Sequence, residues 1–102
     1  DVFLNLAGGL KIKDPANDLA VVAAILSSSL DLPLDRDTCY AGEVGLSGEI
    51  RPVARLEERM SEAARLGMKR MLVSGHGKTP PVPKGLKLVA IKRVSDIQRV
   101  IF

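Results

Sequence analysis

The sequence predicts an α+β fold, a mixed β-sheet with helices packed on it, built as one domain over residues 1–102. Three observations predict it. Strand-like and helix-like apolar patterns follow one another in the order β-α-β-β-α-β-β-α, an order that covers a sheet with helices. Apolar residues make up 46% of the chain and charged residues 26%, which suits a cored globule and not a disordered segment. A length of 102 residues fits one domain and is short for two.

The first strand is expected at Val2-Phe3-Leu4-Asn5-Leu6, ended by Gly8-Gly9. A strand needs a neighbour, so a chain that opens in one is expected to be an N-terminally truncated piece of a larger domain. Asp14-Pro15 then opens a helix, because Asp14 can accept from free amides and Pro15 fits the first helical position. Leu19, Val22, Leu26 and Leu30 recur at spacings of three and four, and Val21, Ala23, Ala24 and Ile25 make most of the remaining surface apolar. Such a helix is expected to be packed centrally. Ser27-Ser28-Ser29 weakens it and Leu32-Pro33 ends it.

Residues 38–46 read as a strand interrupted at Ala41-Gly42, and Ser47-Gly48 turns it back into a short strand through Ile50 as a hairpin. A second helix is expected over residues 53–66, with Val53, Leu56, Met60 and Ala63 inward and Gly67 as its C-terminal cap. Its outer face carries Arg55, Glu58, Arg59, Glu62 and Arg65, most simply a solvated face with weak ion pairs. Met71-Leu72-Val73 is a short buried strand, and a loop rich in Gly and Pro covers residues 74–85. A strand over residues 86–91 and a last helix opened by Ser95-Asp96-Ile97-Gln98 complete the order.

Composition removes several function classes. No apolar run is long enough to cross a bilayer and no signal-peptide pattern precedes the first strand, so a cytoplasmic location without membrane contact is expected. One cysteine, Cys39, cannot build a disulfide framework or a cysteine zinc site. With Phe3, Tyr40 and Phe102 as the only aromatics, a base-stacking platform is not expected. The formal charge of +3 is unevenly spread. Residues 1–50 carry three cations against eight acids, and residues 51–102 carry twelve cations against four acids. A chain polarised in this way suits a polyanion, or a neighbour on which its basic half meets an acidic half.

Several motifs carry less than they suggest. Gly75-His76-Gly77-Lys78-Thr79 resembles the end of a phosphate-binding loop, but Leu72 stands where the first glycine belongs and Pro80-Pro81 follows where a helix is needed. His76 is the only histidine, so no histidine pair can hold a metal. Cys39 reads as a small core residue. The carboxylates Asp14 with Asp18, and Glu57 with Glu58, have structural explanations at a helix start and on a charged helix face. The serines have no histidine placed to activate them.

Two runs carry a more specific resemblance. The first is Leu4-Asn5-Leu6-Ala7-Gly8-Gly9-Leu10-Lys11 with Asp14-Pro15-Ala16-Asn17-Asp18-Leu19-Ala20. The second is Gly42-Glu43-Val44-Gly45-Leu46-Ser47-Gly48-Glu49-Ile50-Arg51-Pro52-Val53, continued by Arg55-Leu56-Glu57-Glu58-Arg59 and Ala63-Ala64-Arg65-Leu66-Gly67. Over nearly its whole length the chain resembles the C-terminal Lon-protease-like domain of the RadA (Sms) family of bacterial DNA repair and recombination proteins. The broader resemblance is to Lon peptidase domains, whose fold is of the ribosomal protein S5 domain 2 type.

The resemblance implies a scaffold without peptidase activity. Lon peptidases use a serine and a lysine, and gap-free counting from Gly42-Glu43 puts Ala16 at the serine position and Arg59 at the lysine position. Ala41 stands where a helper threonine is expected. Alanine offers no nucleophile, and a guanidinium does not act as a base. The family implies homo-oligomeric, hexameric rings, action on branched DNA, and ATP, magnesium and zinc bound by other parts of the protein, with no cofactor or metal expected in this domain. Lys69, Arg70, Lys78, Lys84, Lys87, Lys92 and Arg93 are the expected phosphate contacts, since no acid lies between Glu62 and Asp96. Two other classes remain open: a subunit interface without DNA contact, and a peptidase with a relocated nucleophile at Ser27 or Ser47.

Overall fold

The computed structural model describes residues 14–102, and the strand expected at residues 2–6 lies outside them. Asp14 opens the described chain as the sequence leads one to expect. Its side chain accepts from the Ala16 amide, and a 3-10 turn, Pro15–Asn17, runs into helix α1, Asp18–Leu30. Asp31 stops the helix in the left-handed conformation at φ 55°, while the Leu32 amide donates to the Ser27 carbonyl at 3.0 Å.

Strands β1 (Thr38–Ala41), β4 (Arg70–Ser74) and β5 (Lys87–Ile91) form a three-stranded sheet in the order β1-β4-β5. Both pairings are parallel, with Tyr40 beside Leu72 and Leu72 beside Val89. Among the described residues the α+β expectation thus takes the form of a parallel sheet beside a two-stranded antiparallel ribbon. That ribbon joins β2 (Glu43–Val44) to β3 (Ile50–Arg51), with Val44 opposite Ile50. The physical reason is the route of the chain. Helix α2 (Leu56–Arg65) carries it from β3 back to the start of β4, so β4 enters the sheet in the direction of β1.

Helices cover both faces of the sheet. Alternation along β4 sends Met71 and Val73 to one side and Leu72 to the other. On the first side Met71 and Val73 meet Met60 and Ala63 of α2, together with Ala41 and Leu86. On the second side Leu72 and Ile91 meet Leu19 of α1, Ile50 of β3 and Ile97 of α3 (Ile97–Ile101). Leu19, Ile50, Met60, Leu72 and Ile97 are fully buried.

Two boundary expectations change. Helix α2 starts at Leu56 and not at Val53, because Arg55 takes the left-handed conformation at φ 61° and breaks the helical run behind it. The last helix is preceded by a 3-10 turn whose capping box joins Arg93 to Asp96, and not by a box opened at Ser95. The Asp96 carboxylate accepts from the backbone amides of Lys92 and Arg93 at 3.2 and 3.1 Å, over a 3-10 turn, Val94–Asp96. Helix α1 is also less enclosed than its composition suggests. Leu19 and Ala23 are buried, whereas Ile25 and Leu30 remain exposed.

Candidate functional site

Asp14 touches both Ala16 and Arg59, two of the positions that the resemblance singles out. Its Oδ1 accepts from the Ala16 amide at 3.0 Å, and its Oδ2 accepts from Arg59 Nη2 at 2.9 Å. Arg59 also donates through Nε to the Ala54 carbonyl at 3.0 Å, which fixes the guanidinium across the first turn of α2. Ala16 is buried, and its carbonyl accepts from the Gly42 amide at 3.0 Å. The Leu19 amide returns a bond to the Gly42 carbonyl at 3.0 Å. These two bonds hold the start of α1 against the end of β1, where Ala41 is buried. Gly42 is needed there, since a Cβ would come within 3.0 Å of Ile50 Cγ2 and Leu19 Cδ2.

Arg59 lines a cleft of about 620 Å³ between α2 and β1, with Asn17, Cys39, Ala41, Leu66 and Met68 among its walls. The chemistry on offer is limited. The amide of Ala16 and the guanidinium of Arg59 hold the Asp14 carboxyl below its ordinary value, the amide more strongly. A carboxylate so engaged is a poor base. The Cys39 thiol is half-buried, lies 3.4 Å from the Arg70 carbonyl, and is pushed up by burial, away from the reactive thiolate. His76, the one histidine, lies in the loop after β4, outside this cleft.

The seven cations expected to touch phosphate do not form one cluster. Lys69, Arg70 and Lys87 stand at the N-terminal end of the parallel strands, where the Lys87 amide donates to the Lys69 carbonyl at 2.9 Å. Lys84 lies just before Leu86, in the turn that leads into β5. Lys78, Lys92 and Arg93 lie beyond the other end of the sheet, about 13 Å away along β4 at ~3.3 Å per residue. Among the seven, Arg70 is committed to the fold. Its guanidinium donates to Thr38 Oγ1 at 3.1 Å and to the Val100 carbonyl at 3.3 Å, tying β4 to β1 and α3. Arg93 Nη2 donates to the Ser47 carbonyl at 2.6 Å and braces the hairpin. Lys69, Lys78, Lys84, Lys87 and Lys92 are exposed.

Sequence reasoning read Asp14 as a helix cap and missed its second bond, because Arg59 lies 45 residues away. It missed Arg70 and Arg93 as structural residues for the same reason. Among the described residues no group of three His, Cys, Asp or Glu side chains is placed to hold a metal ion. No described helix is long and apolar enough to cross a membrane. The run over residues 75–79 leads into an irregular loop and not into a helix.

A sheet layered between helices, with a cleft between α2 and β1, finds its class by comparison. The chain belongs to the family described as subunit ChlI of Mg-chelatase, whose model matches residues 1–76. Individual proteins match more of it. It is 44% identical over 102 residues to DNA repair protein RadA of Bacillus subtilis (97% of the chain, 22% of that protein). It is 43% identical over 102 residues to DNA repair protein RadA of Pseudomonas aeruginosa (100% and 22%), and 44% identical over 96 residues to that of Escherichia coli (94% and 21%). The resemblance to RadA thus covers nearly the whole chain. The chain itself spans about a fifth of the length of these relatives.

Proposed function

We propose that this chain is a non-catalytic, Lon-like scaffold domain of a DNA repair ATPase, contributing to ring assembly and to DNA binding without sequence readout. The single observation that carries the reading is the Asp14 bridge. Where a peptidase would need a hydroxyl beside an amine able to lose its proton, this chain has the methyl of Ala16 and a guanidinium. The S5 domain 2-like architecture belongs to the same reading. It is supported by the sheet with helices on both faces and by the likeness to the RadA proteins.

ATP, magnesium and zinc would then be bound elsewhere in the longer protein, and a cytoplasmic site of action follows from work on chromosomal DNA. Lys78 and Lys92 with Arg93 at one end of the sheet, and Lys69, Lys84 and Lys87 at the other, are the proposed phosphate contacts, with Arg70 acting from within the fold. Phosphate contacts of this kind release counterions and weaken steeply with salt.

A titration against duplex and branched DNA at two salt concentrations tests the DNA part. The expected result is measurable affinity at low salt that falls at least tenfold on raising the salt about fourfold, at similar strength for unrelated sequences. No affinity at low salt would remove the DNA role and leave the subunit-interface reading, which the opposite charge of the two halves of the chain favours.

A further inference from the structure

Strand β5 pairs with β4 on one side and, among the described residues, with no strand on the other. The register says which of its backbone groups are used. The Lys87 amide donates to the Lys69 carbonyl at 2.9 Å, and the Ile91 carbonyl accepts from the Gly75 amide at 2.7 Å. Backbone groups alternate in direction along a strand, so Lys87, Val89 and Ile91 face β4 while Leu88 and Ala90 face outward. Lys92 is next in the outward row and is already bonded. Its carbonyl accepts from Ile50 at 2.8 Å, and its amide donates to Asp96 Oδ2 at 3.2 Å. Among the described residues no such bond reaches the outward amides and carbonyls of Leu88 and Ala90.

A free edge is ordinarily blunted by proline, a bulge, a cover or charge. β5 has no proline and keeps an unbroken register with β4 from Lys87 to Ile91. Lys87 and Ala90 are exposed, whereas Met71, Leu72 and Val73 of central β4 are buried, so the described elements on the two faces do not close over this side. What remains is charge. Residues 84–93 carry Lys84, Lys87, Lys92 and Arg93 and no acid. The three lysines are exposed and take part in no ion pair among the described residues. A second β5 laid on this edge would set cations against cations. A DNA phosphate backbone only accepts, and leaves the outward carbonyls of Leu88 and Ala90 unmatched. An extended acidic peptide suits both: its amides and carbonyls continue the ladder, and its carboxylates meet the lysines.

We infer that the outer edge of β5 takes up an extended acidic peptide as a further strand, with the peptide's carboxylates on Lys84, Lys87 and Lys92. The inference goes beyond the proposed function. It draws on three of the same lysines, yet it stands if the DNA titration above fails.

The probe is a fluorescein-labelled synthetic peptide of alternating glutamate and valine, titrated into the full chain at low salt and followed by anisotropy and amide hydrogen exchange. Saturable binding is expected, with slower exchange at the Leu88 and Ala90 amides. N-methylation of alternate peptide amides, on the side that faces β5, is expected to weaken binding roughly tenfold or more. Ala90→Pro removes an outward donor at a position where an edge strand tolerates proline, and is expected to cost about as much. Lys87→Glu, on an exposed side chain, is expected to weaken binding about threefold, and it decides the matter if the proline variant does not fold. Equal binding by the N-methylated peptide, or by one with lysine in place of glutamate, overturns the inference. So does saturation without slower exchange at Leu88 and Ala90, and so does no binding at low salt. A duplex oligonucleotide that protects these two amides where the peptide does not assigns the edge to DNA and overturns it as well.

Discussion

Single residues already separate what this chain does from what its architecture could do. Asp14 spends both carboxylate oxygens on structure, one on the Ala16 amide and one on Arg59. Tyr40 illustrates the opposite case, since its buried hydroxyl finds no partner among the described residues, and burial pushes its proton affinity up. An unpaired buried hydroxyl costs free energy that a phenyl ring does not. Tyr40→Phe is therefore expected to leave stability unchanged or to raise it by up to about 1 kcal/mol, read from the urea midpoint. A loss of stability would mean that the hydroxyl has a partner after all. The cap at Asp14 was legible in the sequence because Asp-Pro before an apolar helix has one economical explanation. The bond to Arg59 was not, because nothing local encodes a contact between chain positions so far apart.

Elements were legible in proportion to how local their causes are. The Gly- and Pro-rich loop between β4 and β5, the end of α1 and the hairpin around Ser47-Gly48 all follow from turn chemistry, and all occur. The start of α2 was misplaced because no capping side chain marks it, and a non-glycine residue in left-handed geometry at Arg55 leaves no trace in a periodicity. Parallel against mixed pairing depends on the crossover through α2, which is a property of the path and not of any one strand. The hairpin makes a sharper prediction. At Gly45 a Cβ would sit 2.1 Å from Glu49 Oε2 and 2.3 Å from Glu49 Cδ, so Gly45→Ala must displace the carboxylate that holds the Ser47 amide. Faster hydrogen exchange at the Ser47 amide is expected, with the β4 amides unchanged. Equal protection at Ser47 in both proteins would show that the tip does not depend on Glu49.

At the scale of the whole molecule, acidic carboxyls hold the turns in which they sit, and Asp14 also ties the start of α1 to α2. Asp14, Asp35, Glu49, Glu62 and Asp96 are all held below their ordinary values. The leading cause is a backbone amide for Asp14, Asp35, Glu49 and Asp96, and the Arg65 guanidinium for Glu62. A carboxyl that is more acidic in the folded state stabilises the fold above its unfolded value and loses that contribution as pH falls through its folded value. Stability is therefore expected to be flat near neutrality and to fall below about pH 4. Asp14→Asn is expected to flatten part of that acid limb in urea titrations, and an unchanged limb would contradict the bridge. The candidate site was legible only as a pair of positions without chemistry. That Ala16 and Arg59 share one carboxylate, and that the seven cations divide between two ends of the sheet, required the path of the chain.

The central claim, a peptidase-like frame without its reactive pair, is tested most directly by intact-mass spectrometry after incubation with a serine-reactive fluorophosphonate. Ser27 donates its hydroxyl to the Leu32 carbonyl, and Ser47 stands on the exposed hairpin, so neither has an activating base among its hydrogen-bond partners in the described residues. The chain is expected to emerge at its unmodified mass. A single stoichiometric adduct on Ser27 or Ser47 would contradict the account.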